Sequence, residues 1–163
     1  MNIKIIKLPA DQWQKYRDIR LLALHTDPGA FCSTYDEEVI FSEAEWRRRI
    51  DVMWFAQRDE TTVGLVGLLQ REIDSYRRCG DMVSLWVEPT ARGHGVGRLL
   101  VATLQSLAVS LSLHKIALQV NKTQASALKL YEGMGFMRMP FPHDQNIDPK
   151  SCHLKYYMEW LAP

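Results

Sequence analysis

Apolar and polar residues alternate at the start of the chain, with Ile3, Ile5 and, after a shift of one place, Ile6 and Leu8 apolar. A period of two is that of a half-buried strand, so Asn2 to Leu8 reads as the first strand. The period then lengthens. After Pro9 and Asp11, the residues Trp13, Tyr16, Ile19, Leu22 and Ala23 recur at helical spacing, and Asp27-Pro28-Gly29 stops the helix. "AFCSTYDEEVIFS" reads as a mixed loop or short helix that ends at an N-cap, Ser42. Ser42 and Glu45 have capping-box spacing ahead of Trp46 and Ile50, which predicts a second helix of about three turns.

Two β-prone apolar runs follow, Met53 to Gln57 and Thr62 to Leu69, separated by the polar turn "RDET". Arg71 to Gly80 is polar and reads as a second turn or a loose arm. Met82 to Val87 is the next strand. Gly97 to Leu113 is the next helix, with Leu100, Leu104, Leu107, Ala108 and Leu111 on one stripe. Lys115 to Val120 reads as a strand, and Thr123 to Met134 as a helix ended by Gly133 and Gly135. "FMRMPF" and "CHLKYYMEW" are expected to pair across "PHDQNIDPK". Three successive central strands favour antiparallel pairing, whereas the strand–helix–strand unit from Met82 to Val120 favours a parallel pair. The expected class is α/β with a mixed sheet, not a doubly wound one.

The length, 163 residues, suits one domain spanning 1–163. A net charge of +1 argues against nucleic acid or an anionic membrane surface as a partner. No apolar run is long enough to span a bilayer, and the N-terminus lacks the apolar centre of a signal peptide. Cys32, Cys79 and Cys152 are odd in number and far apart, without C-x-x-C or paired-histidine spacing. No disulfide framework and no metal site are expected, and the cytoplasm is the expected location.

The densest chemistry lies in "SLWVEPTARGHGVGRLL". Arg92, Gly93, His94, Gly95, Val96 and Gly97 fall between a strand and a helix. Glycine lets backbone approach a ligand closely, and the first N–H groups of a helix have no partner within it. With the positive end of the helix dipole, these features make an anion cradle, to which Arg92 and Arg98 add charge. The dinucleotide fingerprint fails because Arg98 stands where its last glycine belongs, and the P-loop fails for want of a Lys-Ser/Thr pair. The alternative is a glycine-rich turn that simply joins strand to helix.

This stretch resembles the acetyl-CoA-binding motif of the GNAT family of N-acetyltransferases, an apolar strand followed by Pro-x-x-Arg/Gln-Gly-x-Gly-x-Gly/Ala. Pro89, Arg92, Gly93, Gly95 and Gly97 fill it. "LQVNKTQASALKLYEGMGF" resembles the family's second segment, with Asn121, Ala127, Tyr131, Gly135 and Phe136 in place. The resemblance implies the GNAT fold, a mixed and mostly antiparallel sheet flanked by helices, with a V-shaped splay between strands 4 and 5. It implies that backbone from Arg92 to Arg98 binds the pyrophosphate of acetyl-CoA. Pantetheine would then pair with the strand edge at Leu85, Trp86 and Val87, where an N–H also faces the thioester oxygen.

The resemblance makes Tyr131 the general acid for the departing thiolate. Spacing alone favours a core tyrosine on the stripe of Ala127 and Leu128. Asn121 is either a helix cap or a cofactor contact. Asp81, Glu72 and Glu88 are alternatives for the base that takes the amine's proton. Phe31, Tyr35 and Glu38 are the expected acceptor-site residues, by analogy with the family's first two helices and their loop. The expected activity is direct acetyl transfer to a primary amine of a small molecule or peptide, without an acyl-cysteine. The alternatives are a non-catalytic acyl-CoA-binding module, a different acyl donor, or a hydroxyl acceptor. Dimerisation through the C-terminal strands is left open.

Overall fold

The computed structural model describes residues 2–72, 77–142 and 154–163. Among them the order is β1 (Ile3–Ile6), α1 (Trp13–Thr26), α2 (Tyr35–Val39), α3 (Glu43–Ile50), β2 (Met53–Arg58), β3 (Thr61–Glu72), β4 (Arg78–Val87), α4 (Val96–Ser110), β5 (Lys115–Asn121), α5 (Ala125–Gly133), β6 (Met137–Met139) and β7 (Lys155–Leu161). The strands form one sheet in the order β1-β2-β3-β4-β5-β7-β6, antiparallel except where β4 runs parallel to β5. This is the mixed sheet expected from the strand–helix–strand unit.

Two clusters of buried side chains lie on the two faces of the sheet. One joins Val66, Leu68, Met82, Ile116 and Met158 of the strands to Leu100 and Leu104 of α4 and to Leu128 and Tyr131 of α5. The other joins Phe55, Leu65 and Trp86 to Tyr16, Ile19 and Ala23 of α1 and to Trp46 and Ile50 of α3. In β3, for example, Leu65 faces one cluster and Val66 the other, as the period of two requires.

Several expectations change in detail. Of the polar stretch read as a turn or a loose arm, Arg71 and Glu72 belong to β3 and Arg78 to Gly80 to β4, with Arg71 paired to Cys79, while residues 73–76 lie outside the described residues. Ladder hydrogen bonds tolerate polar residues on an uncovered face. The helix after Ser42 has eight residues, short of three turns. Ser42 does cap it, accepting from the Glu45 N–H at 3.3 Å, but the Glu45 carboxylate turns to Arg48 and Arg49 instead of closing the box. The reciprocal box forms at Thr34 and Glu37, at the start of α2. β6 and β7 pair as expected, while residues 143–153 of their connection, including Cys152, lie outside the described residues.

Candidate active site

The parallel ladder between β4 and β5 is short. It pairs Cys79 with Lys115, Gly80 with Ile116 and Asp81 with Ala117, and then stops. β4 continues to Val87 and β5 to Asn121 with no bond between them. The cause lies in β4. Trp86 sits opposite Leu65 and Val83 opposite Gly67, so Ser84 and Leu85 both face Val66. Ser84 takes a left-handed φ of 59°, the mark of a bulge that bends the strand away from its neighbour. The result is a V whose β4 arm, from Leu85 to Val87, has no strand paired on its β5 side. Leu85 and Val87 pack toward α4, and Trp86 toward α1.

At the end of this arm the chain passes through Pro89–Ala91 into the glycine turn. Gly93 and Gly95 have φ of 77° and 82°, and a Cβ built on either would meet nothing within 4 Å. Both glycines thus serve a left-handed backbone beside open space, which side chains would partly fill. Gly95 is the N-cap of α4, and no side chain caps that helix. The N–H groups of Val96, Gly97 and Arg98 open the helix at its positive end. Gly97 has another purpose. Its missing Cβ would lie 3.1 Å from Leu130 Cδ2, so glycine lets α5 dock against the first turn of α4. Gln105 Nε2 fixes that contact by donating to the Met134 carbonyl at 2.8 Å. His94 is exposed.

The docking brings Tyr131 into the same assembly. Its ring is buried beside Phe136, with centroids 5.8 Å apart. Burial pushes its phenol well above the usual tyrosine value, since the phenolate is the form that loses hydration. Ala127 is half-buried one turn earlier. Asn121 does not cap α5 directly. Its Oδ1 accepts from the Thr123 N–H at 3.0 Å and the Thr123 hydroxyl at 2.9 Å, closing a turn at the tip of β5, and Gln124 is the N-cap of α5.

The two arginines beside the glycine turn have partners within the chain. Arg92 turns back from the glycines, giving Nε to the Val87 carbonyl at 2.8 Å and Nη2 to Asp27 Oδ2 at 2.6 Å. Arg98 is exposed and rests its Nη1 on Met134 Sδ at 3.2 Å.

A sequence profile of the family described as Acetyltransferase (GNAT) family matches residues 12–136. The chain belongs to the GNAT acetyltransferase family. Human N-acetyltransferase 8B is 29% identical over 151 residues, which cover 90% of this chain and 61% of that protein. The chain spans between 20% and 61% of the length of such curated relatives, a mycothiol acetyltransferase of Brachybacterium faecium being matched over 35% of its own length. Among solved structures, a GNAT-family acetyltransferase from Streptococcus pneumoniae superposes with a TM-score of 0.76 at 18% identity, covering 99% of this chain and 100% of that one. The PaiA N-acetyltransferase from Thermoplasma acidophilum, in complex with coenzyme A, superposes at 0.70 with 15% identity and 99% coverage of both.

The other face of the sheet in this GNAT protein carries a polar row beside the closed end of the V. Arg71, Cys79, Asp81, Lys115, Tyr157 and Glu159 alternate with residues that pack under α4 and α5, so they face away from those helices. Arg71 Nε donates to Asp81 Oδ2 at 2.7 Å, and Asp81 keeps about a third of its side chain exposed, 30%. The Tyr157 hydroxyl donates to Glu159 Oε1 at 2.9 Å, and Lys115 pairs with the same oxygen. Burial, reinforced by Asp81, pushes the Cys79 thiol up to about 11. It is a protonated thiol at neutral pH and a poor nucleophile. Glu72 is exposed at the end of β3, and Glu88 is half-buried just past β4.

The three expected acceptor residues differ in exposure. Glu38 is fully buried. Arg20 grips it twice, at 2.9 and 2.7 Å, and Arg49 approaches at 3.7 Å. It joins α2 to α1 and α3 and offers no free charge to an amine, contrary to expectation. Sequence spacing shows three adjacent acids but not which one turns inward. Phe31 is half-buried with Arg20 stacked on it, 4.6 Å from ring centroid to Cζ. Tyr35 is exposed, edge-on to His25 at 6.0 Å over a hollow lined by Asp18, Leu21 and Leu22. Among the described residues no group of three metal-ligating side chains gathers, and no helix is long and apolar enough to cross a membrane.

Proposed function

We propose that this protein is an acetyl-CoA-dependent N-acetyltransferase that acts on a primary amine of a small molecule or peptide. The observation that carries the reading is the unpaired β4 edge running into an uncapped, glycine-opened helix. An extended amide chain can pair with the edge, and a pyrophosphate can accept from the N–H groups of residues 93–98. Acetyl-CoA joins two such parts at one end of a reactive thioester, and it supplies the acyl group when bound.

The chain's own residues supply the rest. A β4 N–H within Leu85 to Val87 stabilises the negative charge that gathers on the acyl oxygen. Asp81 is the proposed base. It is anchored by Arg71 where the V opens, and its carboxylate takes the ammonium proton directly or through water. Glu72 is the second candidate, on the neighbouring strand. The C–N bond forms as the C–S bond breaks, and the Tyr131 hydroxyl gives its proton to the sulfur. Its raised pKa keeps that proton in place at neutral pH. The inert Cys79 favours direct attack over an acyl-cysteine.

Thiol release from acetyl-CoA against a panel of amines and peptides tests the proposal. Tyr131→Phe should lower kcat about 10- to 100-fold and leave acetyl-CoA affinity within about twofold. Binding without thiol release across the panel would instead support a non-catalytic acyl-CoA module.

A further inference from the structure

Asp27 appears in the sequence only as part of a helix stop. In the structure its Oδ2 accepts two hydrogen bonds, from the Trp86 indole Nε1 at 2.7 Å and from Arg92 Nη2 at 2.6 Å. The same guanidinium holds the Val87 carbonyl through Nε. One carboxylate at the end of α1 is thereby tied to the last two residues of β4 and to the first residue of the glycine turn.

The loop that begins at Asp27 then reaches the other arm of the V. Gly29 lies against Gln124, the N-cap of α5, where a Cβ would be 3.9 Å from Nε2. Farther on, Lys155 Nζ donates to Cys32 Sγ at 2.8 Å, and Lys155 pairs with Asn121 at the tip of β5. Residues 27–32 therefore cross from the β4 arm to the β5 side and are attached at both ends.

We propose that Asp27 is a positioning residue for acetyl-CoA. The inference rests on the acetyl-CoA reading above. Its charge holds Arg92 against the Val87 carbonyl, which keeps the β4 edge and the glycine turn at a fixed mutual angle. The two parts of the ligand then meet surfaces already in register, and binding does not have to order them. Without the charge, Arg92 is drawn to solvent, the Val87 carbonyl loses its donor, and the edge and the turn move independently.

The test is Asp27→Asn, which keeps an oxygen for Trp86 Nε1 and removes the charge that holds Arg92. Calorimetric titration with acetyl-CoA should show Kd raised about tenfold, with KM following it and kcat at saturation within about twofold. Arg92→Gln should give a similar loss, and the double variant no more than either single one. A purely structural role would lower the melting temperature and leave Kd of the folded protein unchanged. Kd within twofold of the parent, or tighter binding from an Arg92 released toward phosphate, overturns the proposal. If the parent itself does not bind acetyl-CoA, the acetyl-CoA reading fails instead. Should Asp27→Asn not fold, Arg92→Gln carries the same measurement, because it leaves the Asp27–Trp86 bond intact.

Discussion

At the residue scale, glycine spacing was the most legible feature of the chain. Gly93 and Gly95 need left-handed backbone beside open space, and Gly97 needs close packing. A side chain at Gly95 costs about 1–2 kcal/mol for the conformation alone. Gly95→Glu also brings a negative charge to the mouth of the proposed anion site, so acetyl-CoA affinity should fall by about a hundredfold or more, measured by titration. Near-parental affinity would remove this turn from the binding site. Arg92 shows the opposite case. Its motif position suggested a phosphate ligand, but its side chain is paired with a residue 65 places earlier. Nothing local in the sequence reports such a partner. Glu38 is similar, since burial against Arg20 depends on how α1 and α2 pack.

At the element scale, β4 organises the site. The pattern of apolar residues placed a strand there, and the family resemblance implied its kink. No glycine marks the bend, because the left-handed residue is Ser84. Its neighbour β3 contributes through Gly64, whose Cβ would lie 2.9 Å from the Trp86 carbonyl and 3.3 Å from Leu100 Cδ1. The first contact is backbone and cannot rotate away. Gly64→Ala should therefore destabilise the fold by about 1–3 kcal/mol, seen as a lower urea midpoint. Gly29→Ala, with only an ordinary contact at 3.9 Å, is the matched control and should change the midpoint little. Equal midpoints for the two variants would show that β3 and β4 can separate at Trp86 without cost.

For the whole molecule, buried phenols set a limit on alkaline stability. Burial raises Tyr16 to about 12 and carries Tyr131 and Tyr157 higher still above their usual value. A raised acid binds its proton more tightly when folded. The stability this gives is complete below the unfolded value of about 10 and is lost as pH rises toward the folded values. The urea midpoint should fall steadily between about pH 10 and pH 12. A midpoint that holds or rises over that interval would mean that these rings are hydrated. The sequence by itself determined the order of strands and helices, the one parallel crossover and the glycine turn, because periodicity and glycine chemistry act within a few residues. Only the tertiary structure decided where the β4–β5 ladder ends, that Glu38 turns inward, and that Asp27 joins Trp86 to Arg92. Those outcomes depend on which distant groups meet when both faces of the sheet are covered, and a burial pattern read along one chain does not contain that pairing.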